Sequence, residues 1–282
     1  SRRVAAGKDF DAATGLLKED KSADILWLRD EEEAGAVAAA ALTASPWRVM
    51  SVEQKDVTQR PYPPYTTSTL QQAASSVLGM TIKRTMSVAQ KLYEGVDLGN
   101  REREGLITYM RTDSQALSEK AIHEVGELVR ARFGDNYYDG PRRYKTKSKT
   151  AQEAHEAIRP TQIDRSPDQL RGVLDRDELA LYDLIWRRTI ASQMADARIA
   201  RTATDIAAGE SVFRATGSVV RFDGFLKVMN GGQRDTVLPS MHEGQEIRRA
   251  TPGATALAYT QAAPVRHETT PPPRYTEASL VK

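Results

Sequence analysis

The sequence predicts an α+β protein in which a helical domain is inserted into a β-rich domain. Amphipathic helical spacings with glycine stops fill residues 65–197. Short apolar segments separated by turn residues lie before and after this region. With 282 residues, the chain has room for one large domain or two ordinary ones. The simplest arrangement joins the two β-rich pieces into a single domain, with the helical piece between them in sequence.

The first β-rich segment comprises residues 1–64. Strands are expected over residues 24–28 and 47–56. Between them, Asp30 is expected to cap a helix that runs through a row of alanines to about Thr43. Glu33 follows Asp30 at the spacing of a capping box. Prolines at positions 61, 63 and 64 then break the chain.

Five helices are expected in residues 65–197. Capping residues, glycine stops and apolar spacing set them at Ser68 to Gly79, Ile82 to Gly95, Ser118 to Gly134, a helix opened by Ser166-Pro167, and a helix carrying Leu179 to Ile190.

The second β-rich segment comprises residues 198–265. Strands are expected over residues 212–220, 224–229 and 244–250, with glycine-containing turns between them. Residues 266–282 are expected to be a proline-containing linker followed by the start of another domain, because a helical pattern begins at Tyr275.

Composition excludes several classes of site. The chain has no cysteine, so it has no disulfide, thiolate zinc site or cysteine nucleophile. No apolar run reaches the length of a membrane span, and no membrane partner is expected. The sequence also lacks a Walker loop, a dinucleotide-binding glycine motif, a nucleophile-elbow serine and a convincing carboxylate cluster for a metal. The net charge of +2 does not by itself indicate a nucleic-acid binder.

A segment around Tyr109 carries the first candidate site. Apolar Leu106 and Ile107 lead into a polar stretch that contains Thr108, Arg111, Thr112 and Asp113. A tyrosine with a pKa of about 10 is only roughly 0.1% phenolate at pH 7, so a nearby cation would help it act as a nucleophile. In an extended segment, Arg111 would share a face with Tyr109 and could also grip a phosphate. A partly buried tyrosine near a surface arginine remains the alternative.

The segment from Thr150 to Pro160 carries the second candidate. Thr150 and Glu153 have capping-box spacing, which would place His155 near the start of a short helix ended by Pro160. A histidine there could donate to a phosphate or move a proton. An exposed histidine without a function is the alternative.

A basic segment precedes this second candidate. Residues 142–149 contain five cations and no acid, at Arg142, Arg143, Lys145, Lys147 and Lys149. Contact with DNA phosphates is one interpretation, and a merely solvated loop is the other.

The candidate segments resemble motifs of the bacterial type IA DNA topoisomerases, and the resemblance covers nearly the whole chain in the right order. The residue after the tyrosine, Met110, makes the motif more similar to that of topoisomerase I than to that of topoisomerase III, in which a proline is expected at this position. The motifs that carry the resemblance are residues 63–73, 109–114, 152–160, 184–188, 221–225 and 274–282.

The resemblance implies a mechanism and an arrangement of domains. The helical domain would be the catalytic-tyrosine domain and the β-rich segments would form the arch. Tyr109 would attack a phosphodiester of negatively supercoiled, locally single-stranded DNA and form a 5′-phosphotyrosine link. Strand passage and resealing would follow without ATP. Arg111 and His155 would assist at the phosphate, with Thr108, Thr112 and Asp113 as weaker candidates for DNA contact.

The resemblance also implies parts that this sequence lacks. The Toprim domain, whose acidic residues bind Mg²⁺, is expected before residue 1, so no metal site is expected within the chain. The isolated chain is expected to be inactive in relaxation, and the complete enzyme to be a cytoplasmic, nucleoid-associated monomer. A non-catalytic module that binds or gates single-stranded DNA is the alternative function. A reverse gyrase or topoisomerase III relative remains a further possibility.

Overall fold

The computed structural model describes residues 3–11, 14–18, 25–99, 103–145, 156–229, 235–250, 257–266 and 274–280. Its α-helices are α1 (Glu31–Thr43), α2 (Thr67–Leu78), α3 (Ile82–Glu94), α4 (Glu119–Phe133), α5 (Arg176–Gln193) and α6 (Glu277–Leu280). Its strands are β1 (Arg3–Val4), β2 (Ile25–Leu26), β3 (Trp47–Gln59), β4 (Val96–Asp97), β5 (Arg103–Glu104), β6 (Ala197–Ala208), β7 (Ser211–Phe222), β8 (Glu246–Arg249) and β9 (Ala258–Tyr259). The predicted α+β fold class is confirmed.

The chain forms two compact units. The first comprises Ser1–Val57, Ala200–Val219 and Arg234–Pro272, and the second comprises Thr58–Ile199, Val220–Gln233 and Pro273–Lys282. The main sheet has the strand order β7-β6-β3-β8-β9. Strand β3 pairs antiparallel with β8, with Trp47 opposite Ile247, and β8 pairs parallel with β9.

Stacked aromatic rings contribute to the core of the first unit. The ring of Trp47 stacks on Tyr259 with centroids 3.9 Å apart and on Phe213 at 5.1 Å. The indole N–H of Trp47 donates to the carbonyl of Ala41, at the end of α1. Burying the indole therefore leaves no polar group unpaired, and α1 is fixed against the sheet.

Helix α5 is central to the second unit and packs against α2, α3 and α4. Its apolar side buries Leu181, Tyr182, Ile185 and Ile190. The amide of Glu178 donates to the Asp175 carboxylate, and the Glu178 carboxylate accepts from the Asp175 amide. This reciprocal capping box satisfies two of the free N–H groups at the start of the helix.

Most helix predictions are confirmed, with two corrections at their starts. Helices end before Gly79, Gly95 and Gly134 as predicted. The first helix of the second unit, however, is capped by Thr66 and not by Ser68, because the Thr66 hydroxyl accepts from the Thr69 amide. At α1, Asp30 accepts from the Glu33 amide, but the Glu33 carboxylate binds Arg29, so only half of the capping box forms.

Other element predictions were wrong in type or extent. Ser166-Pro167 opens only the short 3-10 helix Pro167–Leu170. Residues 224–229 contain the 3-10 helix Gly224–Lys227 instead of a strand, and they bury Phe225 and Val228. A short apolar run does not distinguish these two conformations. Strand β6 was not predicted, because polar and apolar residues do not alternate regularly along it.

Candidate active site

The candidate site is built on residues 105–114, here called the tyrosine segment. Leu106, Ile107 and Met110 are each 1% exposed and belong to the core of the second unit. The Leu106 amide donates to the carbonyl of Leu92 in α3 at 2.7 Å. Burial of these apolar side chains fixes the backbone on both sides of Tyr109, so the segment is held without forming a regular strand.

The start of α2 holds the tyrosine segment on one side. The Thr67 hydroxyl accepts from the Thr112 amide at 2.8 Å and lies 2.8 Å from the carbonyl of Met110, to which it donates. The Thr67 amide donates to the carbonyl of Thr112 at 2.9 Å. One threonine therefore binds the backbone on both sides of Arg111, and the free N–H at the start of the helix is satisfied.

Residues 156–161 hold the segment on the other side. The Thr108 amide donates to the Arg159 carbonyl, and the Thr108 hydroxyl accepts from the Arg159 amide at 3.0 Å and donates to Ala157 at 2.8 Å. Ile158 bridges to Tyr65 and Pro160 bridges to Ile107. The described part of the predicted helix before Pro160 is therefore extended, because its backbone pairs with two neighbouring segments instead of with itself.

An ion pair stabilises this second clamp. Glu156 accepts from the Ser118 amide at 2.9 Å and from the Arg159 guanidinium at 2.6 Å. Partial burial alone would raise the pKa of the Glu156 carboxyl, but the hydrogen bonds from Ser118 and Arg159 outweigh it and hold the pKa below its ordinary value. The carboxylate thus links the start of α4 to the strand-like residues that bind Thr108.

Tyr109 itself lies half-buried against the core of the second unit. Its ring meets the ring of Tyr93 edge to face, with centroids 5.3 Å apart and planes at 64°. Tyr93 is in the last turn of α3, and its carbonyl oxygen would lie 2.6 Å from a Cβ placed on Gly105. The glycine therefore permits the close approach that brings the tyrosine segment against α3.

The other predicted residues of the segment differ in exposure. Arg111 and Asp113 are exposed, whereas Thr112 is only 7% exposed. The Thr112 hydroxyl accepts from the Ser114 amide at 3.0 Å. The hydroxyls of Thr108 and Thr112 are thus both used within the protein, while the Arg111 guanidinium is presented to solvent.

The basic segment is only partly described. The guanidinium of Arg142 pairs with Asp196 at 2.7 Å, and that of Arg143 makes two hydrogen bonds of 2.8 Å to Glu119. These hydrogen bonds from Arg143 hold the pKa of Glu119 below its ordinary value. Lys145 is exposed. Lys147, Lys149 and His155 lie outside the described residues.

Sequence reasoning missed the residues that position the tyrosine segment. Thr67 lies in the motif over residues 63–73, but nothing in that motif indicates that its hydroxyl reaches a backbone 43 to 45 residues away. Arg159 and Tyr93 were also missed as residues that position the tyrosine segment. A proline-ended helix motif did not suggest an extended segment, and Tyr93 occupies an ordinary position on an amphipathic helix.

Within the described ranges, no three His, Asp or Glu side chains lie together in a group able to hold an ion. No step at a metal is derived for these residues. No helix in the described part of the chain is long and apolar enough to cross a membrane.

Comparison with known proteins shows the family to which this chain belongs. The family model described as DNA topoisomerase matches residues 6–282, and the chain belongs to this family. DNA topoisomerase 1 of Mycolicibacterium smegmatis is 45% identical over 298 residues, which cover all of this chain and 29% of that protein. DNA topoisomerase 1 of Xylella fastidiosa (strain Temecula1) is 47% identical over 236 residues, covering 83% of this chain and 29% of that protein.

A solved topoisomerase structure has a similar fold. The full-length topoisomerase I from Thermotoga maritima superposes with a TM-score of 0.73 at 33% sequence identity, over 90% of this chain and 39% of that one. The architecture is therefore that of a type IA topoisomerase core. The chain spans only about 29% of the length of the two curated relatives.

Proposed function

We propose that this chain carries the nucleophile of a type IA DNA topoisomerase that relaxes negatively supercoiled DNA. One observation carries the proposal. Three separate segments, namely residues 65–67, 105–114 and 156–161, are joined by hydrogen bonds so that the backbone around Tyr109 is held on both sides. A backbone held in this way presents the Tyr109 phenol to a substrate with little further loss of conformational entropy, as preorganised catalysis requires.

The proposed reaction is a transesterification. The Tyr109 oxygen attacks the phosphorus of a single-stranded phosphodiester, the bond to the 3′ oxygen breaks, and the phenolic proton passes to a base. The leaving oxygen takes up a proton to become a 3′-hydroxyl. One phosphodiester replaces another, so the reverse reaction reseals the strand without ATP.

The exposed arginine of the tyrosine segment supports this step. Arg111 is two residues from Tyr109 and is exposed to solvent. In the proposal it binds the attacked phosphate and stabilises the negative charge that develops there. His155 is proposed to donate a hydrogen bond to the same phosphate or to a neighbouring DNA group.

DNA contacts outside the reacting phosphate are proposed for the basic segment. Lys145, Lys147 and Lys149 would follow the DNA backbone, with Asp113 at the margin of the site. Arg142 and Arg143 would join them only when their ion pairs with Asp196 and Glu119 open. Binding is therefore expected to weaken strongly with salt, as it does when cations neutralise phosphates.

The metal and the remaining chemistry belong to the complete enzyme in this proposal. Mg²⁺ would be bound by a Toprim domain, and the isolated chain would not relax plasmid DNA. The complete enzyme would act as a monomer at the nucleoid, in the cytoplasm. Mg²⁺-dependent relaxation by the isolated 282-residue chain would contradict this division of roles.

Trapping of the covalent adduct tests the proposal. The complete enzyme is mixed with a single-stranded oligonucleotide carrying a radioactive phosphate, and the adduct is separated under denaturing conditions. Tyr109→Phe is expected to abolish the adduct, because the only lost group is the attacking oxygen. Tyr275→Phe, which alters a tyrosine that is 80% exposed in the same unit, is the matched control and should form the adduct normally.

A module that only binds or gates single-stranded DNA is the competing function. Its support is the cationic segment that begins at Arg142, which does not require any chemistry at Tyr109. The same adduct experiment separates the two. An adduct that survives Tyr109→Phe would point to another nucleophile, and a wild-type enzyme that binds the oligonucleotide without forming an adduct would favour the binding module.

A further inference from the structure

A stack of two aromatic rings and one cation lies where the chain enters the helical unit. The guanidinium carbon of Arg188, on α5, lies 5.0 Å from the ring centroid of Tyr62 and 4.4 Å from that of Tyr65. Tyr65 is 2% exposed, but Tyr62 is 64% exposed. The stack therefore has a buried inner ring and an outer ring that is open to solvent.

The outer ring is displayed on a stiff piece of chain. Prolines at positions 61, 63 and 64 surround Tyr62 and restrict the backbone. The Tyr144 hydroxyl lies 3.3 Å from the Pro61 carbonyl and 3.1 Å from the Ser192 carbonyl, so it ties this segment to the end of α5. Tyr62 is consequently held in place although its ring is exposed, and a ligand that stacks on it loses little conformational entropy.

Three arginines lie in or beside the segment that carries the exposed ring. Arg60 precedes the proline segment. Arg142 lies two residues before Tyr144, whose hydroxyl contacts the proline segment at Pro61. Both arginines share one acid, Asp196, at 3.6 Å and 2.7 Å, so the cations outnumber the acid here. The Nε of Arg188 is buried and has no hydrogen-bond partner within the described residues. An exposed aromatic face beside arginines that outnumber the nearby acid suits an anionic ligand that has flat rings.

We infer that Tyr62, backed by Arg188, is a stacking platform for one unpaired base of single-stranded DNA. Base faces stack on aromatic rings whatever the sequence, while nearby cations bind the phosphates. The Arg188 guanidinium beneath the ring adds a cation–π contact that keeps the ring in position. The choice of DNA as the ligand rests on the proposed function.

An equilibrium binding experiment tests the platform. Fluorescence anisotropy measures the affinity of the 282-residue chain for a labelled oligodeoxythymidylate and for an abasic strand of the same length. Tyr62→Ala is expected to weaken binding of the oligodeoxythymidylate by about 5-fold to about 140-fold and to leave abasic binding unchanged. Tyr62→Phe should keep the wild-type affinity, because the ring remains.

Matched variants keep the test decisive. Tyr62→Leu retains an apolar side chain without an aromatic ring, and it should lose affinity as Tyr62→Ala does. Tyr275→Ala removes a tyrosine that is 80% exposed elsewhere in the unit, and it should not change binding. The inference is overturned if the wild-type chain binds both strands equally, if it binds neither, or if Tyr62→Ala behaves like Tyr275→Ala. Adduct formation at Tyr109 is measured separately, so either idea can fail while the other stands.

Discussion

Replacing Thr67 with valine should loosen the backbone that carries Tyr109. The variant keeps the shape of the side chain but removes the hydroxyl that accepts from the Thr112 amide at 2.8 Å. Thr112 is 7% exposed, so its N–H is left buried and without this partner. An unsatisfied buried donor costs about 1–3 kcal/mol, and we expect a loss of about 2 kcal/mol in the free energy of unfolding. The backbone bond from the Thr67 amide remains.

Two measurements check this prediction. Urea denaturation gives the free energy of unfolding, and hydrogen exchange by mass spectrometry reports the peptide that contains Thr112. Ser76→Ala is the matched control, because that exposed hydroxyl lies on the same helix and donates to the carbonyl of Ala73 at 3.3 Å. A loss below about 0.5 kcal/mol, within the range of ordinary surface changes, together with unchanged exchange at Thr112 would refute the role of Thr67 as a clamp.

Two further predictions concern the same site. Gly105→Ala would place a Cβ 2.6 Å from the carbonyl oxygen of Tyr93 and should destabilise the chain by about 1–3 kcal/mol in urea. Gly35→Ala, with open space in α1, should instead stabilise it by about 0.5–1 kcal/mol, and equal effects would contradict the close-approach argument. The folded-state pKa of Glu156 lies below its ordinary 4.5, so its stabilising contribution is present above that pH and is lost as pH falls through the folded pKa. The difference in urea midpoint between wild type and Glu156→Gln should therefore shrink on acidification, and a difference independent of pH would contradict it.

Local signals predicted the helices well. Glycine stops and a serine cap correctly bounded α4, because its cap and its amphipathic spacing are both local. Thr66 was missed as the cap of α2 because Thr66, Thr67 and Ser68 are all able to cap, and the surrounding backbone decides which does. The 3-10 helix over residues 224–227 was missed because its apolar residues suit either a strand or a turn of helix.

The site was predictable only in part. The motifs identified Tyr109 and its neighbours as candidates, but they did not indicate how three segments that are distant in sequence come together. Thr108 was expected at the DNA, yet its hydroxyl binds Ala157 and Arg159, an arrangement set by long-range pairing. The basic segment likewise appeared uniform in sequence, whereas Arg142 and Arg143 pair with acids more than 20 residues away. Contacts of this kind depend on tertiary structure and leave no local pattern.

The most direct test of the account is to identify the residue that carries DNA in the trapped adduct. The complete enzyme is allowed to cleave a single-stranded oligonucleotide, the adduct is digested with nuclease and protease, and the modified peptide is sequenced by mass spectrometry. The account predicts a nucleotide joined through its 5′ phosphate to the oxygen of Tyr109. A nucleotide on any other residue, or one joined through its 3′ phosphate, would contradict it.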